Sequence, residues 1–400
     1  LSKVGKVPTS DSQFRFLEDR TKIAITDRSF QVDGTQTLAA PGGNTTVLVD
    51  MQSGGSDATV PWLIKGMVVS FAQNKNTIGD ANEPLLQGTA RIESVTQNSA
   101  DTSIVVKTIQ TVDGSTVALD NDGDAVVIGT SYEQGSGAPD VWSQELDNDY
   151  GYTQIFKTAC EMSNTARATV YRGYADEWQR LWNLKLREHK VDIERALLFG
   201  MRGSQGGIQY TEGIVGHILQ NGTITDGSIG SYSEGVPYLG MFTTSEMTYD
   251  GLLGAFEVMY DPARGGSSNK LCLASLPVVS HFNKISGFGE LSMSGETRYN
   301  FESSKGVFGH KVMKIETVHG DCSIVKEPLF RNNASGHMCF VDLDHVSYRP
   351  LVGNGVNRDT SITTNVQQAD EDLRKDMILT EAGLEVSLPE THALININQI

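Results

Sequence analysis

The sequence predicts an α+β fold, in which strands and helices occupy separate stretches of the chain. Three observations support this class: short β-rich runs between residues 40 and 130, one long amphipathic helix over residues 174–200, and strand-dominated sequence beyond residue 270. The regular alternation of strand and helix that predicts a parallel α/β sheet is missing. At 400 residues, the chain has room for two or three domains.

Residues 1–38 show no clear period and are predicted to form an N-terminal arm. Phe14, Phe16 and Leu17 form a short apolar patch in this polar stretch. An apolar patch on a terminus without regular structure usually docks on something. We expect it to contact a neighbouring molecule, the alternative being that it packs on its own domain.

Residues 39–130 predict a small antiparallel barrel or sandwich. The β-rich runs TTVLVD, GMVVSF, ARIESV, SIVVKTI and DAVVIG are separated by turn sequences rich in Gly, Asn and Asp. One of these turns, DNDGD at 120–124, resembles part of a calcium loop, but no glutamate follows at the EF-hand distance. A plain turn is therefore favoured over a metal site.

Residues 131–173 predict an extended loop that begins with the linker-like YEQGSGAPD and continues as a polar, Thr-rich run. Tyr152, Ile155 and Phe156 are apolar residues on this otherwise polar segment. Because an extended segment has unpaired backbone groups that need partners, we expect these three side chains to dock on a neighbouring molecule.

A single long helix is predicted to follow, turning in at Gly173 and ending at Gly200. Mostly apolar residues recur at steps of three or four positions and form one stripe along the helix, and a second, weaker stripe lies beside it. The first stripe contains Trp178, Trp182, Leu186, His189, Ile193, Ala196 and Gly200, and the second contains Leu181, Leu184, Val191 and Leu198. We expect the two tryptophans to lie in the subunit core.

The second half of the chain is predicted to be mixed. The glycine-rich GMRGSQGGIQYTEGI after the long helix predicts a flexible turn, and residues 247–261 predict a helix with Thr248 as its N-cap. A strand over 271–275, a short helix started by Pro277, and strands in the remaining sequence follow.

The charge and composition of the chain argue against several classes of function. The net charge is −17 and no Lys/Arg cluster marks a phosphate-binding surface, so sequence-specific nucleic-acid binding is not expected, although an acidic container for nucleic acid is allowed. No apolar run approaches 18 residues, so we expect no membrane partner. The four widely spaced cysteines indicate reduced thiols.

The sequence offers no catalytic constellation, and we predict that the protein is not an enzyme and has no catalytic, cofactor-binding or metal-binding residues. The eight histidines include no H-x-x-H or H-E-x-x-H pair, and no G-x-S-x-G elbow occurs. The sequences H-G-D at 319–321 and D-L-D-H at 342–345 are predicted to be turns.

Three stretches, taken in order, resemble one protein family. They are NDYGYTQIFKTACEMSNTARAT leading into YADEWQRLWNLKLREHKVDIERALLFG, then FGHKVMKIETV with PLFRNNASGHMCFVDLDHVSYRPL, then DMILTEAGLEVSLPETHALI. Together they cover roughly residues 140–400, and FRFLED near the N-terminus fits more loosely. The set resembles the major capsid proteins of tailed double-stranded DNA phages, which have the HK-97-like fold, and especially the subfamily with an inserted β module.

The resemblance implies a domain plan. Residues 1–38 would be the N-terminal arm, 39–130 the inserted β module and 131–173 the extended loop over an adjacent subunit. The peripheral domain would comprise residues 174–244, with the long "spine" helix, and return strands in 336–400. Residues 245–335 would form the axial domain.

The resemblance also implies a structural function. The protein would assemble with itself into hexamers and pentamers of an icosahedral shell around double-stranded DNA. Its place would be the virion, after assembly in the host cytoplasm. Further implied partners are a decoration protein, a scaffold or maturation protease, and a portal.

The rival interpretation is a β-rich surface or carbohydrate-binding adhesin module, which the acidic N-terminal third rich in Gly, Asn and Thr would suit. It predicts a monomer or trimer with repeated modules, but the sequence contains no internal repeat. A metal-dependent hydrolase, the third alternative, would require the scattered His and Asp residues to converge.

Overall fold

The computed structural model has the predicted α+β architecture, with few helices and extensive sheets. It describes residues 4–19, 28–51, 59–73, 86–98, 101–143, 145–170, 176–226, 236–282, 301–305 and 311–398.

The strands before residue 131 are β1 (Gly5–Lys6), β2 (Gln13–Glu18), β3 (Ser29–Val32), β4 (Gln36–Leu38), β5 (Asn44–Asp50), β6 (Met67–Ala72), β7 (Leu86–Gln97), β8 (Thr102–Thr111), β9 (Val117–Leu119) and β10 (Asp124–Thr130). Those between residues 147 and 243 are β11 (Asp147–Tyr152), β12 (Gln154–Ser163), β13 (Gly203–Gln205), β14 (Ile208–Tyr210), β15 (Thr223–Asp226) and β16 (Tyr238–Thr243).

The later described strands are β17 (Asn269–Ala274), β18 (Phe301–Lys305), β19 (Lys311–Glu316), β20 (Asp321–Lys326), β21 (His337–Val341), β22 (Val346–Pro350), β23 (Val352–Gly353), β24 (Val356–Asn357), β25 (Ser361–Thr363), β26 (Leu373–Val386) and β27 (Ala393–Asn398). The helices are α1 (Asn164–Ala168), α2 (Glu177–Phe199), α3 (Ile214–Asn221) and α4 (Tyr249–Met259), and residues 276–282 are also helical.

The N-terminal β module is a closed barrel with the strand order β10-β3-β5-β8-β7-β6. Inward residues alternate with outward ones, as a pleated strand requires, and form a core that includes Phe30, Phe71, Ile92 and Ile104. All five predicted runs are strands. The sixth strand, β3, was missed, so the barrel begins ten residues before the expected start at residue 39.

The DNDGD sequence is a turn, as predicted. Asp122 has a left-handed backbone (φ 57°), and Asn121 Oδ1 accepts a hydrogen bond of 2.8 Å from the Gly34 N–H. The turn therefore closes one end of the barrel, beside the small β4–β9 ladder.

A second sheet has the order β1-β22-β26-β12, with β25 also paired to β26. Strands β12 and β26 pair over ten consecutive residues, from Gln154 opposite Ala382 to Ser163 opposite Leu373. This pairing means that most of the predicted extended loop beyond residue 154 lies against its own chain.

The spine helix α2 packs through His189, Ile193, Leu197 and Leu198, which are buried. Asp176 caps its first turn by accepting a hydrogen bond of 3.2 Å from Gln179 N–H. The predicted turn at Gly173 lies outside the described residues.

The expectation that both tryptophans are core residues is wrong, because Trp178 and Trp182 are only half-buried. The Trp178 ring instead lies 4.8 Å from the guanidinium of Arg374 and 6.0 Å from that of Arg167. Such cation–π contacts suit a surface site rather than an apolar core.

The third and largest sheet, eight-stranded over the described residues, has the order β15-β16-β27-β21-β17-β20-β19-β18. Helix α4 packs on it, with Phe256 edge-on to Phe340 at 5.7 Å. Thr248 caps α4, as predicted. This sheet joins strands from both sides of the predicted domain boundaries at residues 245 and 335.

The four cysteines are buried and unbridged. Burial raises the pKa of the Cys339 thiol to about 12, so this thiol stays protonated at neutral pH.

Candidate assembly surfaces

The N-terminal arm lies along its own chain in this structure. Strand β1 pairs in parallel with β22, and β2 pairs antiparallel with β11 from the extended loop. We call the β2–β11 pair the arm ribbon. It joins two segments that the sequence predicted as separate arms.

Phe14 of the arm ribbon is 4% exposed and packs inside its own chain. Its ring fits against Gly151 and Gly383, where an added Cβ would come within 2.4 Å and 2.8 Å of ring carbons. Phe14 therefore has no surface to offer a neighbour in this arrangement, which corrects the expectation for this residue.

The alternation of side chains along a strand decides which of the other predicted contact residues are exposed and which are buried. Leu17, opposite Asn148, is 64% exposed, and Phe16 is half-buried. Ile155 is 49% exposed, whereas its neighbour Phe156 is 8% exposed and packs in the core around α2. Successive strand residues point to opposite faces, so Phe156 is also corrected to a core residue.

Tyr152, the last of the predicted contact residues, is half-buried at the end of the arm ribbon. Its ring packs edge-on against Tyr150 at a centroid distance of 5.6 Å. Four of the six predicted residues thus keep exposed surface: Phe16, Leu17, Tyr152 and Ile155.

Arg202 fastens the arm ribbon to the residues after α2. It donates a hydrogen bond of 2.7 Å to the Asp149 carboxylate and another to the Tyr150 carbonyl, and its guanidinium stacks 4.4 Å from the Tyr150 ring. Burial alone would lower the Arg202 pKa, but the carboxylates of Glu212 and Asp149 outweigh it and raise this pKa. Nothing local in the sequence marked Arg202.

His189 connects the spine helix to the second sheet. Its Nδ1 lies 2.9 Å from Thr158 Oγ1 in β12, and its Nε2 lies 2.9 Å from Thr380 Oγ1 in β26. Burial lowers the His189 pKa, partly countered by Asp192, so the ring is neutral near pH 7. The predicted stripe located this residue but not its two hydroxyl partners.

Three glycines bring α2 and α3 into backbone contact. A Cβ on Gly216 would lie 2.0 Å from the Gly200 carbonyl oxygen, and a Cβ on Gly213 would lie 2.6 Å from the Gly200 nitrogen. Only glycine permits this approach, and it fixes where the chain turns after the spine helix.

The glycine-rich segment between these helices is a hairpin rather than the predicted flexible turn. Strands β13 and β14 pair around Gly206 and Gly207, which have φ angles of 58° and 80°. Two consecutive positive φ angles match a type I′ turn, for which a Gly-Gly dipeptide is the sequence signal. The hairpin carries exposed Ile208 and Tyr210.

Neither a cluster of metal ligands nor a membrane-spanning helix occurs in the part of the chain that the structure describes. No three His, Cys, Asp or Glu side chains come together as metal ligands there. The helices found in the same residues include none with the length and apolar content needed to cross a bilayer.

Comparison with solved structures finds remote likenesses to phage proteins. The capsid asymmetric unit of cyanophage A-1(L) is 11% identical, with a TM-score of 0.47 over 68% of this chain and 85% of that one. The mature capsid of bacteriophage PhiM1 is 10% identical, with a TM-score of 0.43 over 68% and 80%. A protein of Mycobacterium phage Patience is 15% identical, with a TM-score of 0.38 over 68% and 77%.

These likenesses are too remote to carry an argument, and no curated protein sequence matches. The family model described as SU10 major capsid protein, in contrast, matches residues 1–398, almost the whole chain. The chain therefore belongs to the SU10 major capsid protein family, and its role is that of a structural shell protein rather than an enzyme or an adhesin.

Proposed function

We propose that this chain assembles with itself into hexamers and pentamers that close into an icosahedral shell around the double-stranded DNA of a tailed phage. The family match over residues 1–398 carries the proposal. The net charge of −17 suits a container that encloses DNA without binding a particular sequence.

Contacts between copies would use the exposed side of the arm ribbon and the start of β12. Leu17 and Ile155 expose apolar side chains there, and Phe16 and Tyr152 add half-buried aromatic surface. Within the predicted extended loop 131–173, the part before β11 would reach over an adjacent subunit, since β11 and β12 pair with strands of their own chain. Residues 245–335 would meet their copies at the five- and six-fold axes. Many modest interfaces of this kind, multiplied by symmetry, are sufficient to hold a shell together.

The same proposal includes further partner proteins and a place of assembly. A decoration protein, a scaffold or maturation protease, and a portal would join the shell, which would be built in the host cytoplasm. These components follow from the capsid role and have no dedicated surface assigned on this chain.

Negative-stain microscopy with light scattering on the purified, concentrated protein tests the proposal. Closed shells, tubes, or separate hexamers and pentamers are the expected result. A monomer or trimer at every protein and salt concentration, also after addition of a scaffold, would overturn it.

A further inference from the structure

Charge is distributed unevenly along this chain. Residues 108–156 contain nine aspartates and glutamates and no lysine or arginine. Residues 157–202 contain nine lysines and arginines and six carboxylates. An acidic segment and a mildly basic segment thus follow each other directly, and the net charge of −17 conceals this asymmetry.

The most exposed part of the acidic segment is what we call the acidic strap: residues 131–143 together with Glu145 and Leu146. It has no helix or strand, and nearly all of it is exposed. Trp142 packs against the barrel core and anchors the strap, which leaves the adjacent Val141 91% exposed. The carboxylates of Asp140 and Glu145 have no hydrogen-bond or ion-pair partner within the described residues.

The basic segment has a matching exposed surface on α2. Leu184, Arg187, Lys190 and Arg195, which we call the basic face, are exposed, and Leu184 is half exposed despite being apolar. Arg180 and Lys185 of the same helix pair with Glu177 and Glu188. In contrast, Arg187, Lys190 and Arg195 have no ion-pair partner in the parts of the chain described.

We propose that the acidic strap of one copy docks along the basic face of α2 in a second copy. The inference rests on the proposed shell function and assigns one of its contacts. Both surfaces combine unpaired charge with an exposed aliphatic side chain, so carboxylates would meet Arg187 and Lys190 while Val141 covers Leu184. Their lengths agree: Leu184 to Arg195 spans about 17 Å of helix, and Asp140 to Glu145 extends over at most about 17 Å.

The basic face suits a protein strap better than it suits DNA. DNA would pair with the arginines and the lysine but would leave the apolar Leu184 without a partner. The helix also carries Glu188, Asp192 and Glu194 close to these cations. That mixture repels a continuous polyanion more than it repels a strap with spaced carboxylates.

Charge reversal tests the docking on the full-length protein. We expect R187E/K190E, and separately D140K/E145K, to raise the protein concentration required for particle assembly about tenfold or more. Combining all four substitutions should bring it back to within about threefold of the wild type. K65E/K107E, which changes the charge by as much as R187E/K190E, and D113K, which makes half the charge change of D140K/E145K, lie at exposed barrel positions. Both serve as controls and should leave assembly unchanged. Circular dichroism of each variant checks folding.

Cross-linking provides the second measurement and identifies the partner. A zero-length carbodiimide joins a carboxylate to an amine in direct contact, so particles co-assembled from ¹⁴N and ¹⁵N subunits should yield mixed-isotope peptides that link Lys190 to Asp140 or Glu145. Links within single-isotope chains only would overturn docking on a second copy.

The remaining outcomes separate this inference from the proposed function. Normal wild-type particles together with unaffected reversal variants would overturn the docking alone. A different result would be that the variant with all four substitutions does not recover assembly and that R187E/K190E particles lose packaged DNA. This result would assign the basic face to DNA and would also overturn the docking. If the wild type forms no particles or capsomers under any condition, the docking and the shell function fail together.

Discussion

The carboxylate of Glu18 accepts a hydrogen bond of 3.0 Å from the backbone N–H of Leu388, which lies 370 residues later in the chain. Both residues are buried. Leu388 has a left-handed backbone (φ 49°) and precedes the 3₁₀ turn that leads into β27. The N-terminal arm therefore stabilises the turn that directs the last strand into the large sheet.

Substitution of Glu18 should expose this dependence. E18A leaves the buried Leu388 N–H without its acceptor and should lower the free energy of unfolding by about 1–3 kcal/mol. E18Q keeps a carbonyl acceptor at nearly the same place and should recover most of the loss. Urea unfolding of unassembled subunits measures both, and equal losses for the two variants would contradict the capping role.

Aspartate at the exposed apolar positions of the arm should block assembly and leave the subunit folded. L17D and I155D each place a charge on a side chain that is about half exposed or more in the isolated chain, and burying that charge between copies is costly. Light scattering should show a loss of particles with unchanged circular dichroism. I109D, at a half-exposed barrel position to which no contact between copies is assigned, is the control. Normal particles from L17D and I155D would exclude these residues from the contacts.

Acid should destabilise the subunit partly through His189. Because burial holds its folded-state pKa below the unfolded value near 6.5, the unfolded chain gains a proton first as the pH falls. The stability present above pH 6.5 is then lost below it, at up to about 1.4 kcal/mol per pH unit for this group.

The variant H189Q keeps a polar side chain but cannot titrate. The difference in unfolding free energy between wild type and H189Q should therefore shrink from pH 7.5 to pH 5. A constant difference over that range would show that His189 does not titrate as its burial requires.

The glycine contact between α2 and α3 should not tolerate a methyl group. In G216A the new Cβ would meet the Gly200 carbonyl at 2.0 Å, and we expect a loss of about 1–3 kcal/mol or more. G203A is the matched control, since its nearest neighbour would be a Tyr210 ring carbon at 3.9 Å. Thermal unfolding compares the two, and similar midpoints would mean that the helices shift apart at little cost.

Patterns within short stretches of the sequence correctly predicted several helices and strands. The five longer barrel strands, the spine helix and the Thr248 cap follow from periodicity and capping. Strand β3 has only Phe30 and Val32 as inward residues, too few to show alternation. Leu197 belongs to neither predicted stripe, although α2 buries it.

Pairings between distant segments were not predictable from the sequence. The contacts of Phe14 with Gly151 and Gly383, and of His189 with Thr158 and Thr380, depend on which strands become neighbours. The arm residues illustrate the limit: an apolar side chain on a polar strand signals that it will be covered, but not whether its own chain or another copy covers it. Phe14 and Phe156 are covered by their own chain, and Leu17 and Ile155 remain open.

The closed barrel has a consequence for engineering. Its chain enters at Ser29 and leaves at Thr130, in the neighbouring strands β3 and β10, where Ser29 lies opposite Val126. The two ends of the segment are thus about four strand residues, or roughly 13 Å, apart. The buried residues of its core, from Phe30 to Val127, all lie within the segment, and Trp142 packs against them from outside it. A short peptide could replace the whole segment, or a different small domain could be grafted at the same two ends, without rethreading the remaining sheets.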